Sequence, residues 1–319
     1  MSKFDRLSVY AVLLASGLAL FACRGRQTKD KYTDTATSGF ISISADESFR
    51  RIVQQEIDVF ESIYTMAGID PIYASEVDAI NLLLKDSVRL TVSTRRLTDA
   101  EKAGLEEKKF FPKEFKVASD AIALIVNRQN PDSIISLKDL SRILTGEVTE
   151  WSELYPGSKL GKLQLVFDNP NSSTVRYAID SICRGRPLAG SLHAQKSNAE
   201  VIDFVSQSPS AIGVIGVSWV GSESDSTNLS FSDRVTVMAV SREEKATEQN
   251  SYKPFQAYMA LGDYPLMRDV YVILTDPRSG LASGFSTFLA SDRGQRIIRR
   301  DGLMPATQKV RIVNVRDNL

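Results

Sequence analysis

Histidine and cysteine are nearly missing from this chain: His193 is the one histidine, and Cys23 and Cys183 are the only cysteines among 319 residues. His193 lies in a polar stretch without a Cys or His partner at ligand spacing, which argues against a zinc centre. A Ser-His-Asp arrangement would have to use the same histidine, and there is no G-x-S-x-G nucleophile elbow. Neither sign of charge is in surplus. Thirty-nine basic and thirty-nine acidic residues cancel, so the total does not favour nucleic acid or an anionic membrane surface, and any anion site must be local. There is no internal repeat and no coiled-coil heptad pattern. The apolar run at residues 9–21, about 13 residues, is too short to span a bilayer comfortably. What is present, 43% hydrophobic and 24% charged residues, suffices for a large core and about two domains.

Lys3 and Arg6 followed by that apolar run form a secretory signal pattern. It ends in Leu20-Phe21-Ala22-Cys23, which resembles the lipobox of bacterial lipoproteins, where cleavage leaves the Cys acylated as the new N-terminus. Phe21 is bulkier than the small residue usual at its position. The expectation is a signal peptide over 1–22, lipid attachment at Cys23, and a body on the periplasmic side of the envelope. Acyl chains would hold it to the lipid bilayer, each buried methylene contributing about 0.8 kcal/mol. An uncleaved N-terminal anchor is the plainer alternative and leaves the body in the same compartment. With Cys23 given to lipid, no intramolecular disulfide is possible, and Cys183 is expected to be a helix-packing residue. Residues 24–38, RGRQTKDKYTDTATS, are polar without apolar periodicity and suit a flexible tether.

The body alternates strands and helices, an α/β pattern. Ile41 and Ile43 mark a strand ending at Ser44-Ala45-Asp46, and Phe49, Ile52, Val53, Ile57, Phe60 and Ile63 recur at helical spacing over 48–64. A second strand ends near Tyr73-Ala74-Ser75, before a helix over 76–84. A third, 89–93, runs into Thr94-Arg95-Arg96 and a charged helix from Thr98. The apolar run 117–127 is placed as a crossing between two domains, with a helix over 137–144 beyond it. There follow a helix near 199–206, a strand at 211–217, a loop at 221–230 and a strand at 234–240 that returns to the first domain. The chain closes with a strand at 269–274, a Gly-rich turn at 279–284 and one helix from Phe285 towards Arg300. Its Arg293, Arg296, Arg299 and Arg300 offset the negative end of the helix dipole.

Residues 166–182, VFDNPNSSTVRYAIDSI, hold the chain's most informative turn. An apolar strand (Leu163, Leu165, Phe167) gives way to Asp168-Asn169-Pro170-Asn171 and a helix beginning with Ser172, Ser173 and Thr174. The first turn of a helix has free N–H groups and a partly positive dipole end, so hydroxyls there suit an oxyanion. Ordinary capping uses the same residues. Three further strand-to-helix junctions carry hydroxyls, and in open parallel sheets ligands sit beyond the carboxyl ends of the strands. That repetition favours the anion site.

Several stretches together resemble the phosphate-binding proteins of ABC importers, over roughly residues 39–306. They are ISLKDLSRILTGEVTEWSEL at 135–154, Ser210-Ala211-Ile212-Gly213, Tyr264-Pro265-Leu266-Met267-Arg268, and residues 284–305 with Phe288-Leu289, Gly294-Gln295 and Gly302. The resemblance implies a type II periplasmic-binding fold: two α/β lobes joined by crossing strands, 39–118 plus 235–319 and 119–234, closing on a ligand by a hinge. It implies phosphate or a similar oxyanion as ligand, ABC permease subunits of the inner membrane as partners, a monomer, no cofactor or metal, and no catalysis. Carried over to this chain, the contacting residues are Ser48 with the Phe49 amide, Ser75, Thr94 or Arg95, and Ser172, Ser173 and Thr174. The chain departs from the family's Arg-x-x-x-Ser-Gly-Thr loop, with Asp168 at the Arg position and Ser173 at the Gly position. Arg176 or Arg95 is therefore expected to supply the missing cation, and Glu47 adds another acid. Two further readings stay open: a diverged paralogue with another ligand or an interaction role in the envelope, and an enzyme. The second finds neither a metal-ligand cluster nor an activated nucleophile.

Overall fold

The computed structural model describes residues 34–190, 192–221 and 230–308. The signal peptide, the lipid attachment at Cys23, most of the tether and most of the loop at 221–230 are expectations that lie outside the described residues. The fold starts with β1 (Ser38–Asp46), whose last four residues are all buried. It pairs in parallel with β2 (Met66–Ala74) along its whole length and with β3 (Leu90–Ser93) near its end. Parallel neighbours need a crossover, and helices Arg50–Ile63 and Glu76–Leu84 supply it. The first buries Ile52, Val53, Ile57 and Phe60, the apolar stripe its spacing predicts. Helix Asp99–Glu107, closed by a Thr98–Glu101 capping box, leads into β4 (Lys113–Val126).

β4 is the common strand of the molecule. Next come β5 (Ile134–Ser136), helix Leu137–Leu144, β6 (Gln164–Phe167), a short helix Ser173–Tyr177 widening into a π turn, β7 (His193–Ala194), helix Asn198–Gln207 and β8 (Ala211–Gly216). Two-residue β9 (Thr236–Val237), β10 (Ala239–Ser241), β11 (Ser251–Tyr252) and helix Gln256–Leu261 precede β12 (Met267–Leu274). Helices Leu281–Ala290 and Asp292–Arg300 and β13 (Met304–Pro305) complete it. The main sheet runs β2-β1-β3-β12-β4-β8-β6-β7. The first part of β4 pairs antiparallel with β12, from Lys113–Leu274 to Ala121–Met267. Its second part pairs antiparallel with β8, from Ile122–Gly216 to Val126–Ile212. The changeover at Ile122 is pinned: its N–H donates to Leu266 O and its carbonyl accepts from the Tyr264 hydroxyl at 2.6 Å.

Four expectations need correction. Residues 34–38 are not tether. Gly280 has no side chain to cap helix Leu281–Ala290, and Asp34 Oδ1 accepts the Leu281 N–H instead, while a Cβ on Gly284 would meet Ala36 O at 1.8 Å. Residues 234–240 do not return to the first domain. β9 pairs with Ile125 and Val126 of β4, and β10 pairs in parallel with β5, so the chain comes back to the β1–β3 side only at β12. The single helix expected from Phe285 is two. Ser291 is extended, ends one helix and caps the next by accepting the Gly294 N–H. Gly284 belongs to the first of these helices rather than to a turn. Cys183 is free and fully buried, and His193 lies on an exposed edge strand.

Two acids are raised mainly by burial: Glu56 in the core, and the half-buried Asp301, which Arg51 faces. Glu56, in helix Arg50–Ile63, is 1% exposed and neither of its oxygens has a hydrogen bond. Burial and then Asp301 push its pKa up to about 9, and burial pushes Asp301 up to about 7. Both are raised above their ordinary range, so the fold favours the neutral forms, and the stability they contribute is present in mild acid and lost as pH rises through about 7 and then about 9. Thermal melts should therefore show a falling midpoint from mildly acidic to alkaline pH. Glu56→Gln should remove the alkaline part of that fall, and an unchanged slope in this variant would refute the assignment.

Candidate anion-binding site

The residues that gather at the carboxyl ends of β1, β2, β3 and β6 are small, hydroxylated and buried. Ser48, Ser173 and Thr174 have no exposure, and Ser172, Thr94 and Ser75 retain 3%, 7% and 8%. After β1, Asp46 Oδ1 accepts the Ser48 N–H at 2.9 Å, which turns the chain into a 3-10 turn over Glu47–Phe49. After β6, Ser172 caps the short helix by accepting the Val175 N–H, and its hydroxyl lies 2.7 Å from that of Thr174. Thr174 Oγ1 in turn donates to Asp168 Oδ1 at 2.5 Å. Asp168 is therefore buried among its own loop's hydroxyls rather than facing a cation.

Asn198, at the start of helix Asn198–Gln207, joins both halves. Its Nδ2 donates to Glu47 Oε2 at 2.6 Å and to Asp168 Oδ2 at 3.2 Å. Trp219 Nε1 donates across to Ser48 O at 2.9 Å. Arg176 makes a third bridge: its Nε donates to Glu76 Oε2 at 2.6 Å and its Nη2 to Thr94 Oγ1 at 2.7 Å. Glu76 also takes the Thr94 amide and hydroxyl through Oε1, at 2.8 and 2.6 Å.

The cation at the centre is one that sequence reasoning did not single out. Arg268, on β12, is 6% exposed, and its Nε donates to Asp120 Oδ2 at 2.8 Å. Its Nη1 donates to Ser173 Oγ at 2.7 Å, and its guanidinium lies 5.2 Å from the centre of the Phe49 ring. The pair was legible in principle: Asp120 interrupts the apolar run 117–127, and Arg268 opens an apolar strand. Opposite charges embedded in two apolar strands need one another.

The expected site residues divide accordingly. Ser48, Phe49, Thr94, Asp168, Ser172, Ser173, Thr174 and Arg176 lie in one cluster. Ser75 is engaged within its own helix, accepting the Asp78 N–H and donating to Asp78 Oδ2. Arg95 does not join them. It is forked onto Glu101, both bonds 2.8 Å, because that capping carboxylate is its near neighbour. Four buried polar atoms in the cluster have no hydrogen bond: Arg268 Nη2, Ser48 Oγ, Asp46 Oδ2 and Asp120 Oδ1. Gly216 forms the wall beside them, where a Cβ would stand 3.5 Å from Arg268 Nη2, 3.7 Å from Asp120 Oδ2 and 3.8 Å from Ser48 O.

Burial dominates the electrostatics. It pushes Asp46 up to about 6 despite Arg268, with Glu76 and Asp168 adding to the rise. It pushes Glu47 up to about 7 against the hydrogen bonds from Asn198. It raises Asp120 as well, although Arg268 and the amides of Ala121 and Val217 pull the other way. Glu76 ends lower than usual, because Arg176 and Thr94 outweigh its burial. Among the described residues, no group of three or more His, Cys, Asp or Glu side chains could hold a metal ion, and no helix is long and apolar enough to cross a membrane.

The chain resembles known proteins over most of its length. The model of the PBP superfamily domain matches residues 30–293. The phosphate-binding protein PstS of Pseudomonas aeruginosa is 24% identical over 299 residues, 86% of each chain, and that of Bacillus subtilis 25% identical over 314 residues, 94% of each. Among solved structures, a Clostridium perfringens phosphate ABC transporter substrate-binding protein with bound phosphate superposes with a TM-score of 0.70 at 20% identity. It covers 84% of this chain and all of its own. An ABC-type phosphate transport receptor from Vibrio cholerae gives 0.62 at 20% identity, with the same coverage. The fold is thus the type II periplasmic-binding fold.

Removing one partner of the Arg268–Asp120 pair should cost about 3–5 kcal/mol of unfolding free energy, since the other charge is left buried alone. The double variant Asp120→Leu/Arg268→Met should recover most of that loss. Chemical denaturation of the singles and the double checks this, and singles within about 1 kcal/mol of the native chain would contradict it.

Proposed function

We propose that this chain, which belongs to the PBP superfamily, is an extracytoplasmic receptor that encloses an oxyanion, inorganic phosphate first among them, and delivers it to the permease subunits of an ABC importer. The observation that carries this is the cluster around Arg268, where a guanidinium N–H group and the Ser48 hydroxyl are buried without partners among three hydroxyl-bearing loops, those after β1, β3 and β6. Donors held in place beforehand, away from water, bind an anion's oxygens more strongly than the same groups in solvent. The names of the relatives point the same way. In this reading Ser48, Phe49, Thr94, Ser172, Ser173 and Thr174 line the ligand, and Arg268 takes the role expected of Arg95 or Arg176. Arg176 and Glu76 close the cleft from either side. The lobes swing about Ile122 and the 264–268 crossing. The chain works as a monomer, with Cys23 lipidated and the body on the periplasmic side, and it carries out no chemistry on its ligand. Asp168 and Glu47, acids inside the cleft, favour a second reading in which a diverged relative holds another ligand or serves a partner in the envelope.

Calorimetric titration of the full-length chain in mild detergent separates the two. Phosphate should bind with a dissociation constant on the order of micromolar or tighter. Ser48→Ala should weaken it about tenfold, the loss of one hydrogen bond to a charged ligand. Absence of heat with phosphate, sulfate and molybdate alike, from protein whose melt is cooperative, would reject the receptor reading.

A further inference from the structure

We infer that the rim of the main sheet opposite the anion cluster is a bilayer-docking face: Phe40, Met66 and Phe111 enter the surface of an anionic membrane, and Lys108, Lys109 and Lys113 meet its headgroups. Strand register puts these residues on one rim. Ser44 of β1 is level with Thr91, so Leu90, the first residue of β3, is level with Ile43. Leu274 pairs with both Leu90 and Lys113, which brings the start of β4 to the same level. Phe40 precedes that level on β1 and Phe111 precedes it just ahead of β4, so both end at one edge. Met66 opens β2 there, paired with Ser38, and the Phe40 ring lies over Gly68, where a Cβ would stand 2.8 Å from it. Lys108 Nζ donates to Leu84 O at 3.1 Å and ties the Phe111 loop to the end of helix Glu76–Leu84. The anion cluster stands at the other end of these strands.

Phe111, Phe40 and Met66 are 71%, 69% and 67% exposed, more than any other large apolar side chain among the described residues. A lone exposed apolar residue is ordinary, but the three most exposed gathered on one rim mark a surface that something covers. Phe111 lies in Lys108-Lys109-Phe110-Phe111-Pro112-Lys113, where all three lysines are exposed and Phe110 is turned to Arg89, 5.4 Å from its ring. Rings and lysines interleaved in this way suit the boundary between acyl chains and headgroups, the rings below and the ammonium groups reaching back to phosphate. Several acids of the rim are engaged. Asp86 pairs with Arg89 and Glu114 with Lys102, each at 2.9 Å, while Asp34 and Asp276 accept the amides of Leu281 and Arg278. Glu106 and Glu107 precede the loop and are offset by Lys85 and Arg278, both exposed. The point of chain entry names the occupant. Asp34 lines a cavity of about 370 Å³ with Arg89 and Phe110, so the leading segment joins the body on this rim. In the reading above, on which this step rests, Cys23 is lipidated, and the eleven residues from there to Asp34 reach at most about 40 Å. The body is thereby held where its exposed rings meet the bilayer, with the anion cluster facing away.

Fluorescence quenching of the full-length protein on vesicles of phosphatidylglycerol and brominated phosphatidylcholine tests this. Phe111→Trp and Phe40→Trp put a reporter on the rim, Leu261→Trp puts one on an exposed site of helix Gln256–Leu261, and the native chain gives the background of Trp151 and Trp219. Emission added at 111 and 40 should fall about twofold or more, and that at 261 should not change. Lys108→Glu/Lys109→Glu/Lys113→Glu, or vesicles without phosphatidylglycerol, should remove most of the quenching at 111. No quenching at 111 and 40 in protein that floats with the vesicles overturns the inference, and so does equal quenching at 261. Quenching indifferent to both the lysines and the lipid charge overturns it as well, as does protein that fails to float. Unquenched rim reporters with a mass that doubles as concentration rises would assign the face to a second copy instead. Each of these leaves the receptor reading to phosphate titration, which the rim variants should not alter.

Discussion

The ion pair between Arg268 and Asp120 sets the arrangement of everything around it. The register of β12 on β4 places the two residues directly opposite each other, and both are almost fully buried. A buried pair of this kind gains little net stability, because desolvation consumes most of the attraction. What it does is fix a position. From its place beside Asp120, Arg268 reaches the Ser173 hydroxyl on one side and the Phe49 ring on the other. One guanidinium thereby ties together the common strand, the returning strand, the loop after β1 and the helix after β6. The unpartnered Nη2 is aimed as rigidly as the rest of the group.

Around this pair the cleft manages an excess of acid by two different means. Glu76 is neutralised by Arg176, which is why its carboxyl stays below the usual range although it is buried. Glu47 and Asp168 are given a neutral amide instead: the two protons of Asn198 Nδ2 go one to each. An amide satisfies hydrogen bonds without adding positive charge, so the negative potential near Asp46 persists. The hydroxyls of Thr94 and Thr174 are drawn into this scheme as donors to carboxylates, while Ser48 Oγ is left without a partner.

The strand-helix alternation was legible because it rests on local periodicity: the Ile52-to-Phe60 stripe and the apolar β4 are visible without any tertiary knowledge. The junction hydroxyls were legible for the same reason, since caps are local. What was not legible depended on distant partners. Arg95 and Arg176 were equivalent in sequence, and only the capping carboxylate of Glu101 and the buried Glu76 separate them. Arg268 was hidden because its partner lies 148 residues away. The 234–240 segment was misplaced because a short apolar stretch says that it is a strand but not which edge of β4 it joins. Asp34 was assigned to the tether because its partner, the Leu281 N–H, lies 247 residues downstream.

That last contact has a mechanical consequence. A pull applied along the chain ahead of Asp34 does not reach the cleft directly. It meets first the Asp34–Leu281 bond, backed by Ala36 seated against Gly284. Behind these lies β1, flanked on both sides and paired residue for residue with β2 from Ser38–Met66 to Asp46–Ala74. Load along such a strand is borne in shear by the whole row of hydrogen bonds at once instead of peeling them one by one. The loop that carries Asp46 and Ser48 sits at the far end of that strand, so tension on the chain's leading segment is dissipated before it can shift the atoms that define the site.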